Sequence, residues 1–235
     1  MRTIVFSVTL TLFLVLQALA AEEKGAKSIF YSGEGPTVMP ASSSSTEVKT
    51  KNQTKPMVPQ VEKYMGISYW IDLLDRSGEM KRVTTTRTFR SGERIKLNIE
   101  TNRDGYLYVI NIGSTGQSRV LFPYPGATGS NFVSARVPYE IPQDTYMRFD
   151  ENPGEELLLV MLSPNPMGNV FTPPVNRPLN NEETQSVTQI SQAKGAKDIV
   201  LETESTGAQP ASYVVSPISS LETGMLTLKI KLRHN

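Results

Sequence analysis

His234 is the single histidine in a chain of 235 residues that contains no cysteine. Triads with an imidazole base, metal sites with two imidazoles, thiolate zinc sites, cysteine nucleophiles and disulfides are therefore set aside. Carboxylates remain. Asp72 and Asp75 stand close together, and two carboxylates at a suitable separation can hydrolyse glycosidic bonds. They bracket the end of a strand and sit beside the turn signal Arg76-Ser77-Gly78, where Asp is an ordinary turn residue. Asp150, Glu151, Glu155 and Glu156 surround Asn152-Pro153-Gly154. A tip so rich in oxygens suits Ca²⁺, yet its spacing matches no EF-hand loop, and a solvated turn accounts for it. These residues point to no enzyme, no metal and no cofactor.

The aromatic residues offer binding rather than chemistry. Phe122 and Tyr124 belong to a proline-stiffened run, Phe122-Pro123-Tyr124-Pro125-Gly126, at the end of an apolar strand. Trp70 falls on the strand face opposite Ile67, Tyr69 and Ile71. If the sheet is covered on both faces, Trp70 is core. If not, it can stack on a sugar or anchor a protein. Phe122, Tyr124 and Trp70 together are the candidate interaction patch, since binding concentrates in loops carried by a rigid scaffold.

That scaffold reads as strands. Ile95, Leu97 and Ile99 alternate with Lys96, Asn98 and Glu100, the period of a half-buried strand. Asp104-Gly105 suits a tight hairpin turn, and residues 106–112 follow with both faces apolar, as in a central strand covered on two sides. A turn at 114–117 leads to Val120, Leu121 and Phe122, so 93–123 reads as a three-stranded antiparallel meander. Before it, 67–74 is a strand and 83–90 a Thr-rich strand. After it come short strands at 132–137 and 139–141, then a hairpin from Met147 and Phe149 through Asn152-Pro153-Gly154 into the apolar run 157–162. Asn180, with Glu183 three residues on, is a capping box for a helix over 181–194, ended by Gly195. Its thin apolar stripe, Val187, Ile190 and Ala193, suits a surface helix at one edge. Strands at 199–201, 213–215 and 225–232 close the chain. Short strands joined by turns, with little helix, imply an all-β fold: an immunoglobulin-like β-sandwich with one peripheral helix and a disordered N-terminal tail.

Arg2, the apolar run 4–16 and Ala18-Leu19-Ala20 have the form of a secretory signal peptide. Cleavage after Ala20 takes Lys and Arg from 24 to 23 against 23 Asp and Glu. A net charge of zero argues against a nucleic-acid partner, and the apolar run is short for a stable membrane span. Residues 21–60 are rich in Ser, Thr and Pro and read as a disordered tail. Residues 61–166 form the sandwich core, 167–195 a proline-rich connection and helix, and 196–235 strands that complete the sandwich. Disulfide-free export fits a bacterial envelope, whether periplasmic, outer-envelope associated or secreted.

Over roughly 64–166 the chain resembles a bacterial family of β-rich envelope domains of unknown function. The resemblance rests on Phe89 with Ser91-Gly92-Glu93, Asp104-Gly105-Tyr106-Leu107-Tyr108-Val109 and Leu121-Phe122-Pro123. It continues through Val137-Pro138-Tyr139-Glu140-Ile141-Pro142, Phe149, Gly154-Glu155-Glu156-Leu157 and Ser163-Pro164. Members of that family are sometimes fused to caspase-like or kinase domains. The resemblance implies an accessory or interaction module and carries no catalytic residues. The expected function is a non-enzymatic envelope module that binds another protein. The alternative is a glycan- or peptidoglycan-binding module using surface aromatics.

Overall fold

The computed structural model describes residues 25–35, 61–124, 130–167, 173–175, 177–192, 199–204, 209–221 and 224–235. Two antiparallel-dominated sheets face each other across an apolar core. The first is centred on β1 (Tyr64–Leu74), β4 (Arg94–Thr101) and β12 (Ala211–Pro217). β11 (Val200–Glu204) lies outside β12, and β8 (Tyr139–Ile141) outside β4, while β2 (Met80–Val83) and β9 (Met147–Arg148) add to β1 and β4. The second sheet runs β3 (Thr88–Phe89), β13 (Leu226–His234), β10 (Gly154–Ser163), β5 (Gly105–Ile112), β6 (Ser118–Phe122), with β7 (Phe132–Val133) also on β5.

Alternation along each strand decides what enters the core. Ile67, Tyr69 and Ile71 of β1 and Ile95, Leu97 and Ile99 of β4 meet Leu107 and Val109 of β5, Leu158, Val160 and Leu162 of β10, and Leu226, Ile230 and Leu232 of β13. The opposite faces of β5 and β10 are apolar as well. Tyr108, Ile110, Leu159 and Met161 form a second cluster under Met167, Leu179 and Val187 of α2 (Asn181–Gln192). The helix therefore lies on the outer face of the second sheet rather than at the expected edge. That placement is what makes β5 and β10 apolar on both sides.

The capping box at the start of α2 forms in both directions. The Glu183 amide donates to Asn180 Oδ1 at 2.8 Å, and the Asn180 amide donates to Glu183 Oε2 at 2.7 Å. The Arg177 guanidinium, then the Asn180 amide, hold the Glu183 carboxyl down to about 2. A depressed carboxylate supports the fold above its unfolded value and loses that support as pH falls. We expect Glu183 to titrate near 2 by carboxyl NMR and the first turn of α2 to loosen as pH falls from about 4.5 toward 2. Glu183→Gln should abolish that transition, and titration in the ordinary carboxylate range would contradict it.

The structure corrects the expected meander. β4 and β5 belong to different sheets, so 102–104 is an arch across the sandwich rather than a hairpin turn. Gly105 is absent from the residues at positive φ. Its lack of a side chain serves close approach instead, because a Cβ there would sit 2.7 Å from the Ser163 carbonyl oxygen. The expected hairpin of Met147 and Phe149 with 157–162 is another arch, since β9 pairs with β4 and β10 with β13 and β5. The Thr-rich strand divides too. β2 stays in the first sheet, β3 joins β13 in the second, and a turn occupies the residues between. Only two residues of 132–137 are strand, and Arg136 adopts φ 64°.

Part of the expected tail is ordered. α1 (Ala26–Ser32) packs Ala26, Ile29 and Phe30 against Ala211, Tyr213 and Val215 on the outer face of the first sheet. A helix this short needs tertiary support. Arg136 supplies some, with its guanidinium 4.5 Å from the centre of the Phe30 ring and hydrogen bonds to the Phe30 and Tyr31 carbonyls. Arg103 bonds the Gly33 carbonyl. Gly66 leaves room for Phe30, whose ring would lie 3.0 Å from a Cβ there. Residues 1–24 and 36–60, with the expected signal peptide and the rest of the tail, lie outside the described residues, as do Ala193 and Gly195. Among the described residues no helix is long and apolar enough to cross a membrane.

Candidate functional site

Trp70 is neither core nor part of an aromatic row. It stands on the outer face of the first sheet, beyond α1, and one carboxylate organises everything around it. The Trp70 indole N–H donates to Asp72 Oδ2 at 3.1 Å, and Asn98 Nδ2 donates to the same oxygen at 2.8 Å. β1 and β4 bring these groups together, because Trp70 pairs with Asn98 and Asp72 with Lys96 in their register. β2 adds Arg82 opposite Asp72. Its guanidinium lies 4.2 Å from the centre of the indole ring, and its Nε is 3.8 Å from Asp72 Oδ1. Lys96 is paired with Glu140. Trp70, Asp72, Arg82, Asn98 and Glu140 line an open depression of about 640 Å³, walled by Tyr124, Pro138 and Tyr139.

Tyr124 thus shares a site with Trp70. It is half-buried, its hydroxyl donates to the Glu140 carbonyl at 2.8 Å, and burial, followed by nearby Tyr139, Glu140 and Asp144, pushes that hydroxyl up to about 12. Phe122 does not belong to the surface patch. It is 3% exposed and packs edge-on against Tyr124 and Tyr139 from inside the core. The cause is a β-bulge: Val109 pairs with Phe122 and the next residue, Ile110, with Val120, so Leu121 is extra. Val120 therefore stays on the outer face with Ile110, while Phe122 turns inward with Val109. Residues 125–129, with Pro125 and Gly126 of the expected loop, lie outside the described residues.

The carboxylate pairs do not converge. Asp72 holds the Trp70 cluster, whereas Asp75 closes its turn, accepting from the Ser77 and Glu79 amides and pairing with Lys81 at 2.6 Å. Lys81, then Ser77 and Glu79, keep the Asp75 carboxyl well below the usual range. Asp150 accepts from the Asn152 amide, and Glu155 pairs with Lys231. Glu156 accepts from Asn111 and the Ser114 amide. Among the described residues no group of three or more His, Asp or Glu could hold a metal ion.

His234 departs from its terminal position in the sequence. Its side chain is fully buried, with the ring centroid 5.1 Å from that of Phe149 and Nε2 3.6 Å from Glu156 Oε1. Among the described residues neither ring nitrogen has a hydrogen-bond partner. The signal was present in the alternation of 226, 228, 230 and 232, which continues to 234.

A surface that sequence reading did not single out lies at β11. This strand pairs only with β12 among the described residues, leaving its other edge open. Ile199 is 40% exposed, Val200 36% and Leu201 61%. Glu202 and Glu204 face α1, where Lys27 bonds both, so that side of β11 is settled while its edge is not.

Residues 88–166 match the family described as Domain of unknown function (DUF4384). The matched stretch begins at β3 and ends just beyond β10, so it excludes β1 and β13, on which β4 and β10 pair. No curated protein and no solved structure matches the chain.

Proposed function

We propose that this chain is an exported, non-enzymatic module of the bacterial cell envelope that binds another protein as an accessory or assembly subunit. The observation that carries the reading is the edge of β11 that no described strand covers, with exposed Val200 and Leu201 in the strand and exposed Ile199 just before it. An uncovered edge offers unpaired backbone donors and acceptors to an incoming strand, and adjacent apolar side chains make the pairing favourable. Burying Leu201 alone is worth about 1.5–3 kcal/mol. Export rests on Arg2, the apolar run 4–16 and Ala18-Leu19-Ala20.

The test is capture of tagged full-length protein from its native envelope after gentle crosslinking, in parallel with Leu201→Lys. The wild type should bring down one protein in stoichiometric amount. The variant, whose side chain is already exposed, should fold normally and lose it. The same partner retained by Leu201→Lys removes β11 as the docking edge, and the absence of any stoichiometric protein removes the accessory-subunit reading.

A further inference from the structure

We propose that the Trp70 depression is a binding site for a neutral oligosaccharide, separate from the β11 edge. The chemistry of its lining selects that class. Arg82 lines it beside two carboxylates, Asp72 and Glu140; Arg82 stands near the first, and Lys96, outside the lining, is paired to the second. An anion meets both carboxylates, and a cation meets Arg82 and two carboxylates that already have a cation beside them. A neutral polyol can donate to the carboxylates and accept from the cation without that penalty.

The polar groups are held in place yet not used up. Asp72 accepts from Trp70 and Asn98 through Oδ2 alone. Asn98, 4% exposed, donates through Nδ2, and its Oδ1 has no partner among the described residues. The Arg82 guanidinium, its side chain 21% exposed, lies over the indole and donates no hydrogen bond to a described residue. A guanidinium fixed by stacking has lost its rotational freedom before a ligand arrives, so fewer degrees of freedom are lost on binding. Tyr124, Pro138 and Tyr139 provide apolar walls for sugar C–H groups, and about 640 Å³ lies within the range of small-ligand sites. The described lining is not a row of exposed aromatics. A polar cradle backed by one indole takes its place.

Trp70 is the chain's only tryptophan, so the site carries its own reporter. Full-length protein would be screened on an array of neutral oligosaccharides, and each hit titrated while the Trp70 emission is followed. A saturable shift is expected, with affinity reduced about tenfold or more in Arg82→Ala and several-fold in Glu140→Ala. Both variants should melt cooperatively, like the wild type. No neutral glycan producing a saturable shift overturns the proposal. So does binding that survives both substitutions unchanged, and so does a preference for acidic glycans. The β11 variant Leu201→Lys should bind the same sugar normally, which keeps this site's failure distinct from that of the protein-docking edge.

Discussion

A chain lacking residues 225–235 should be recovered only in the insoluble fraction. β13 is not a terminal ornament: it is registered with β10 from Leu226 to His234 and with β3 at Arg233 and His234. Its removal bares the edge of β10, whose Leu158–Leu162 run is buried, and opens the core where Leu226, Ile230 and Leu232 were buried. Each of those three side chains contributes about 1.5–3 kcal/mol through burial, a sum comparable to the ~5–15 kcal/mol that separates folded from unfolded domains. Fractionation after expression, followed by attempted refolding, measures the outcome. A soluble truncation that unfolds cooperatively would mean that β3 and β10 close the second sheet without it.

Phe122→Ala should destabilise the domain by about 3–5 kcal/mol, the range for emptying a buried aromatic site. The ring lies between the sheets against Tyr124 and Tyr139. Tyr124→Phe keeps the aromatic wall and gives up only the bond to the Glu140 carbonyl, a loss of about 1 kcal/mol. Urea denaturation separates the two: a large fall in midpoint for Phe122→Ala and a small one for Tyr124→Phe. Equal, small shifts would place Phe122 at the surface, as the sequence pattern suggested. Until that is measured, loss of binding by a Phe122 variant says nothing about an interface.

The parts of the fold that were legible are those fixed by one strand or one turn of helix. Both-face hydrophobicity marked β5 and β10 as covered on two sides, alternation marked β13 and the core face of β1, and Asn180 with Glu183 marked the start of α2. What was not legible is the sheet to which each strand belongs. Period-two alternation says which side chains point inward, but an arch and a hairpin bury the same ones. Asp104-Gly105 has the composition of a hairpin turn, while Gly105 actually answers to the Ser163 carbonyl across the second sheet. Phe122 was misread because the bulge at Leu121 reverses its side, and nothing local to 118–122 announces that. α1 was hidden by its Ser- and Pro-rich surroundings, although Ala26, Ile29 and Phe30 have the spacing of one helix face. Of the candidate site, the aromatic members were visible as Trp70 and Tyr124. Arg82 and Asn98 could join them only through strand register.

The repeated passage from one sheet to the other has a kinetic meaning. β3 bonds to β13 at the far end of the described chain, β4 to β1 across an intervening excursion into the second sheet, and β1 to β12 far downstream. Few strands can therefore be satisfied by their immediate neighbours, and such wiring slows folding because long loops must close before their contacts reward it. Assembly waits for the arrival of Leu226–His234. A chain with this connectivity keeps the edge of β10 without its β13 partner until Leu226–His234 is available to pair with it.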